Sequence, residues 1–320
     1  MGDWKLLEHT VGREIKYEGI GLHTGKITRV VIKPAPPSTG IIFIRSRKFL
    51  SESVKASYEN ISRSIMATTI GFNGTGVSTV EHLLAAFLGC GVDNAFVEVD
   101  GPEIPIADGS ALTYARLILE AGVVPQNVPR RFYAITSSVE LKEGDAYLMV
   151  LPSESFSLTV DYSIEFPHPL ISKQSIRWTF DSRRFLREIA PARTFGFLED
   201  VTKLRSQGLA LGGSLENALV FDKHLLLNPE GFRFADECVR HKVLDLLGDI
   251  MLVGKPIIGH FVIHKAGHGL HHKLLKEIMP FLEEVPQEKI ECLVSSFLPP
   301  PPEELFKLYN AHTEVRIQAT

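Results

Sequence analysis

Short runs of alternating apolar and polar residues dominate the chain, and in a few places they give way to apolar stripes at helical spacing. Alternation predicts strands from Thr10 to Tyr17, from Ile27 to Lys33 and from Ile41 to Ile44. The glycine-rich Gly19-Ile20-Gly21-Leu22-His23-Thr24-Gly25 reads as a turn between the first two, and Pro34-Ala35-Pro36-Pro37 closes the second. A further strand is expected from Met66 to Phe72, with Asn73-Gly74 as a hairpin signal. Leu83, Leu84, Phe87 and Leu88 then form a helical stripe, with Ser78 or Thr79 placed to cap it and Gly89 to Gly91 placed to end it. Ala95 to Val99 reads as a strand, and Ser110 as the cap of a helix reaching Ala121.

After Val124-Pro125-Gln126-Asn127-Val128-Pro129, which reads as a linker, the order recurs. Strands are expected near 132–136, 139–142, 146–151, 157–164, 176–180 and 218–221, with a Gly144-Asp145 hairpin among them. A helix over 236–253 follows, with Asp236 as its cap, then a strand over 257–264, a loop over 265–269 and a helix to Met279. His82 and Ser110 are separated by nearly the same stretch as His241 and His268, a weak internal symmetry. The expected fold is α+β: two similar domains, 1–127 and 128–298, each a β-sheet packed on helices, with the helix layers sandwiched between the two sheets. The second carries an apolar insertion near 195–217, and 299–320 is a tail. In this arrangement the start of the first helix faces the 236–253 helix, so the active site lies at the domain interface.

Composition narrows the setting. At 320 residues two domains are the default, and 44% hydrophobic with 22% charged residues is ordinary for a globular chain. A net charge of −4 argues against a nucleic acid held by bulk electrostatics. The three cysteines are far apart, without zinc-type spacing, which suits a reducing compartment. The N-terminus has no signal-peptide pattern and no segment has the length of a membrane span, so a cytoplasmic protein, a monomer, is expected.

The chemistry concentrates on Phe234 to Asp249. His241 and Asp245 are four residues apart and share one face of the predicted helix, with Asp249 one turn further and Lys242 beside them. An imidazole and a carboxylate so placed can hold a metal ion, or can be an ordinary exposed or capped pair. With His82 they make a His₂-carboxylate set that leaves a coordination position open, the composition of a catalytic zinc site. Glu81 would flank such an ion and take a proton, or else sit as an acidic residue in the first turn of its helix. His268, at a glycine-rich helix start, suits an anionic transition state or a phosphate, or else is a surface capping residue, which is how His271 and His272 read. Asp249 is placed to orient an imidazole. Ala192-Arg193-Thr194-Phe195-Gly196-Phe197 sets a hydroxyl between an arginine and aromatics, and the glycines and apolar residues that follow can wall a slot for a hydrocarbon chain or simply cover the core.

At these residues the chain resembles the zinc-dependent UDP-3-O-acyl-N-acetylglucosamine deacetylases of lipid A synthesis. The matching blocks are Gly21-Leu22-His23-Thr24-Gly25, Ser78-Thr79-Val80-Glu81-His82, Pro102-Glu103-Ile104-Pro105-Ile106 with Asp108-Gly109-Ser110, Ala192 to Phe197, Val239 to Asp245 with Gly248-Asp249, and Lys265-Ala266-Gly267-His268. The resemblance implies one Zn²⁺ per chain on His82, His241 and Asp245, with Glu81 as general base, His268 as general acid and Thr194 stabilising the oxyanion. It also implies that Lys242 and Lys265 meet the diphosphate and Phe166 the uracil, and that 195–213, from Phe195 to Gly213, forms an acyl-chain passage. Where some relatives carry a lysine after the Gly144-Asp145 hairpin this chain has Ala146. The implied substrate is a small molecule, an acylated UDP-amino sugar, losing its N-acetyl group as acetate. A zinc amidase for another acylated amine, or a nucleotide-sugar binding protein with a structural metal, are the competing readings. A structural site should be closed by four protein ligands, and the residues supply three with a flanking Glu.

Overall fold

A computed structural model describes residues 6–47, 50–71, 76–155 and 157–293 of the chain. The expected Asn73-Gly74 hairpin and the 299–320 tail lie outside these residues.

The strands are β1 (Leu7–Val11), β2 (Ile15–Ile20), β3 (Ile27–Pro34), β4 (Ile41–Arg47), β5 (Leu50–Lys55), β6 (Ile61–Arg63), β7 (Thr69–Ile70), β8 (Val77–Ser78), β9 (Ala95–Val99), β10 (Val123–Pro129), β11 (Tyr133–Ile135), β12 (Val139–Glu143), β13 (Ala146–Leu151), β14 (Leu158–Glu165), β15 (Lys173–Thr179), β16 (Phe195–Phe197), β17 (Leu219–Phe221), β18 (Ile257–His264) and β19 (Leu282–Glu284). The helices are α1 (Glu81–Cys90), α2 (Leu112–Ala121), the single turn α3 (Ser182–Arg184), α4 (Leu198–Ser206), α5 (Glu237–Ile250), α6 (His268–Ile278) and α7 (Gln287–Leu293). No helix among the described residues is long and apolar enough to cross a membrane.

Two sheets repeat one topology. In the first half the order is β2-β3-β9-β4-β5, with β9 antiparallel to β3 and parallel to β4. In the second half β12, β13, β18, β14 and β15 follow the same path, with β18 antiparallel to β13 and parallel to β14. The second sheet also takes up β11 beside β18 and β19 beside β11. Each central strand lies between two helices in sequence, α1-β9-α2 and α5-β18-α6, so the symmetry in the spacing of His82, Ser110, His241 and His268 has a structural basis.

The helices fill the space between the sheets. Every residue of α1 is buried, as befits a helix apolar nearly all round. It packs on α2 and on α5, and α5 in turn packs on α6 and on β14 and β15. The α1–α5 crossing is closest at Gly248, where a Cβ would lie 2.1 Å from the Glu81 carbonyl oxygen. Gly89 makes a second close approach, its missing Cβ leaving room for the Phe185 ring at 2.0 Å.

The Gly248 contact yields a stability prediction. Gly248→Ala gains about 1 kcal/mol of helix propensity. Because the atoms met are backbone and cannot swing aside, overpacking costs about 3 kcal/mol, the upper end of its usual range. The clash wins, and a urea unfolding midpoint that falls is expected; an unchanged or raised midpoint would show that the helices separate freely here.

Several local expectations give way to long-range contacts. The strand expected from Thr10 to Tyr17 is two strands, broken where the Gly12 N–H donates to the Gly122 carbonyl at 2.7 Å. The expected linker is itself a strand, β10, antiparallel to β1. The 66–72 strand shrinks to Thr69–Ile70, with Met66 at φ +62°. Neither Ser78 nor Thr79 caps α1: the cap is Val80 without a side-chain bond, and the Thr79 hydroxyl donates to Glu103 at 3.0 Å instead. Ser110 does accept from the first N–H of α2, that of Leu112, at 3.1 Å. Asp236 precedes α5 but makes no capping bond; its carboxylate takes the Arg240 guanidinium at 2.5 Å.

Candidate active site

Three helix segments converge on a cavity of about 530 Å³ between the halves. The first turn of α1 brings Glu81 and His82, one face of α5 brings His241, Lys242 and Asp245, and the first residue of α6 brings His268. Thr194 and Phe195, ahead of and within β16, complete the wall.

His82, His241 and Asp245 are all buried, and their ligand-type atoms lie within 4.8 Å of one another. The His241 Nδ1–H donates to the Ala192 carbonyl at 3.1 Å, which leaves Nε2 with its lone pair facing inward. Burial strips the charge from this ring: it pushes the pKa down to about 3, against the opposite pull of Asp245. That bare Nε2 stands 3.3 Å from the Asp245 Oδ1, and His82 Nε2 stands 3.7 Å from the same oxygen. Two acceptors facing each other repel unless a cation lies between them. His82 Nδ1 is also buried with no hydrogen-bond partner. A donor set of two imidazoles and a carboxylate therefore fits a divalent metal ion. Burial would raise the Asp245 carboxyl, but His241 and Lys242 beside it hold it well below its ordinary range. The Lys242 Nζ donates to Asp245 Oδ2 at 2.8 Å and lies 5.6 Å from the centre of the Phe195 ring.

Glu81 faces His268 across the cavity, Oε1 to Nε2, at 3.7 Å. Its other oxygen accepts the Thr68 backbone N–H at 3.1 Å. Burial raises the Glu81 carboxyl, opposed by the neighbouring His268 and His82. His268 Nδ1 bonds Asp249 Oδ2 at 2.8 Å, which directs Nε2 into the cavity. Burial works against the imidazolium, yet the Asp249 carboxylate lifts the pKa to about 10. Asp249 is fully buried, and burial alone would raise its carboxyl; His268 and His272 hold it well below its ordinary range.

Other residues singled out in the sequence sit further off. Lys265, at φ +53°, pairs with Glu165 at 2.7 Å and does not line the cavity. Phe166 lies in an aromatic cluster, 5.4 Å from the Phe195 ring and 5.5 Å from Phe197. From the 195–217 insertion only Phe195 reaches the cavity wall. A Cβ on Gly213 would sit 3.6 Å from Leu22, a cavity-lining side chain, whereas one on Gly212 would strike the Gly21 carbonyl at 2.3 Å. The α4 helix has no buried residue, and Leu198, Leu211 and Leu215 are exposed. Ala146 lines the cavity, as do Glu143 and Lys273.

The profile of the UDP-3-O-acyl N-acetylglycosamine deacetylase family matches residues 8–280. The UDP-3-O-acyl-N-acetylglucosamine deacetylase of Myxococcus xanthus is 46% identical over 272 residues, 85% of this chain and 86% of its own length. That of Wolinella succinogenes is 46% identical over 274 residues, 86% of this chain and 91% of its own. That of Syntrophus aciditrophicus is 42% identical over 272 residues, 85% and 86% of the two chains. The chain belongs to this family. Its α+β architecture, two sheets with the helices between them, accords with that membership.

Sequence reasoning assigned no buried role to four groups at or near the cavity. His271 and His272, expected on the surface, are buried and both bond Asp249, at 2.8 and 3.2 Å. Thr68 is fully buried between Glu81 and Asp249. Glu103, also fully buried, accepts from the His23 and Thr24 backbone N–H groups at 2.8 Å each and so fixes the glycine-rich turn at the cavity wall. Helical spacing puts His268, His271 and His272 on one side of α6, and that was the available signal.

Proposed function

We propose that the chain is a metal-dependent hydrolase that removes the N-acetyl group of UDP-3-O-acyl-N-acetylglucosamine in lipid A biosynthesis, releasing acetate. The observation that carries this is the neutral His241 Nε2 facing the Asp245 carboxylate at 3.3 Å inside a cavity that also holds a carboxylate and a second imidazole. The names of the relatives supply the substrate.

His82, His241 and Asp245 would hold the ion, for which zinc suits the donor set. Such an ion, when bound, supplies Lewis-acid polarisation of a carbonyl and makes water more acidic. Glu81 takes the proton of the attacking water. His268 carries a proton at Nε2 toward the cavity and gives it to the departing amine, with Asp249 holding the ring. The Thr194 hydroxyl donates to the carbonyl oxygen as it gains charge. Lys242 neutralises Asp245 and offers positive charge near the diphosphate; Lys265 would have to leave Glu165 to reach it. Phe166 and Phe195 offer aromatic faces to the uracil and the sugar. The exposed leucines of the insertion offer apolar surface to the acyl chain. The cytoplasmic setting belongs to the same reading, supported by Cys90 and Cys238, which are buried and free.

The test is acetate release from the acylated sugar nucleotide by metal-defined protein, across a series of acyl lengths. Each methylene buried is worth about 0.8 kcal/mol, so kcat/KM should rise by orders of magnitude from a substrate without the chain to one with it. Release from simple N-acetyl amines alone would favour a zinc amidase of other specificity, and binding without release a nucleotide-sugar binder. Gly212→Trp, an obvious way to narrow the passage, would instead push the loop off Gly21; Gly213 is the better site for a bulky residue.

A further inference from the structure

We propose that Thr68 and His272 are positioning residues that hold the Asp249 carboxylate, and with it the His268 ring, against Glu81. This rests on the deacetylase reading for its kinetic consequence and on geometry for its substance. Asp249 lies at the centre of a buried network whose protons can be followed atom by atom. Ser64 Oγ lies 2.5 Å from His272 Nδ1, and with the hydroxyl donating, that nitrogen is the acceptor and Nε2 carries the hydrogen. His272 Nε2 then donates to the Thr68 hydroxyl oxygen at 3.0 Å and to Asp249 Oδ1 at 3.2 Å. The Thr68 hydroxyl in turn donates to Asp249 Oδ1 at 2.6 Å.

With Oδ1 occupied by this pair, Oδ2 is left to His268 Nδ1 and His271 Nδ1, each at 2.8 Å. The carboxylate cannot rotate without breaking several bonds, so the His268 ring has one orientation, with Nε2 aimed into the cavity. Thr68 also uses its backbone: its N–H donates to Glu81 Oε2 at 3.1 Å. One residue between β6 and β7 of the first half thus fixes the facing positions of both proton-handling groups, one from each half. His272, reaching across from α6 to Ser64, ties the halves together at that point.

Thr68→Val removes the hydroxyl and keeps the shape and the N–H to Glu81. Its kcat on the N-acetyl substrate should fall roughly 10–100-fold, with KM and bound metal unchanged. Thr68→Ser should restore most of the loss, and His272→Gln should retain more activity than His272→Ala because its amide can still donate. An O-acetyl ester analogue, whose leaving alkoxide depends less on a positioned acid, should lose much less than the amide. Equal losses on amide and ester, or a loss carried by KM, would overturn the proposal. An activity-independent reading comes from the protected imidazole N–H proton resonances of the zinc-loaded protein, which should shift in Thr68→Val. Unshifted resonances would overturn the positioning role whatever the parent does with the sugar nucleotide; a parent that releases no acetate while the resonances shift would sink only the deacetylase reading.

Discussion

Alanine at His82, His241 or Asp245 will remove bound metal and turnover together, the largest loss expected from any single change here. Each side chain supplies one of the three donor atoms clustered within 4.8 Å, so two donors cannot keep the affinity of three. An ion is worth several kcal/mol to the attacked carbonyl, which at 1.36 kcal/mol per decade is a loss on the order of 10³-fold or more. The three variants should differ in what else they disturb. Asp245→Ala leaves the half-buried Lys242 without its partner at 2.8 Å and should therefore cost the most stability. His241→Ala loses only a bond to the Ala192 carbonyl at 3.1 Å, and His82→Ala loses no bond through Nδ1. Metal content by mass spectrometry alongside thermal unfolding separates loss of the site from loss of the fold. Stoichiometric metal in all three folded variants would dismiss the assignment.

Much of this site could be read in the sequence because the decisive spacings are local. His241 and Asp245 share a helix face, and the apolar residues around them fix which face is buried. The strands β13 and β18 begin and end where alternation begins and ends. The pairing of His82 with those residues was reached through the repeated order of elements, and the repeated sheet topology is its physical basis. What was illegible depends on partners far away in the chain. Thr79 looks like a helix cap until Glu103 takes its hydroxyl. His271 and His272 look like surface residues because α6 carries Lys273 and Lys276, and only Asp249, Thr68, Ser64 and Tyr162 explain why two imidazoles are buried there. The 124–129 segment has the prolines of a linker, yet β1 lies alongside and makes it a strand. Gly212 and Gly213 are equivalent as letters, and the Gly21 carbonyl makes only the first of them indispensable.

Glu81→Gln should keep the metal and lose turnover by roughly 10²–10⁴-fold, the usual worth of a general base. The amide preserves size and can still accept the Thr68 N–H that Glu81 takes at 3.1 Å, so folding is not at issue. What it cannot do is accept a proton. The pH profile gives the sign. A base must be ionised, so activity is lost as pH falls through the Glu81 pKa, which burial raises and a bound cation would draw back down. An acid must be protonated, so activity is lost as pH rises through the His268 pKa. Burial lowers that value and Asp249 more than offsets it, lifting it to about 10. Asp245 Oδ2 stands 3.9 Å from His268 Nε2, so a divalent cation held by Asp245 would pull the other way, and the alkaline limb of the loaded protein should fall below that figure. His268→Ala should abolish this limb while leaving the acid one, and Glu81→Gln the reverse. A limb that survives the loss of its residue would move that role to another group on the cavity wall, and near-parental turnover in Glu81→Gln would end its claim as the base.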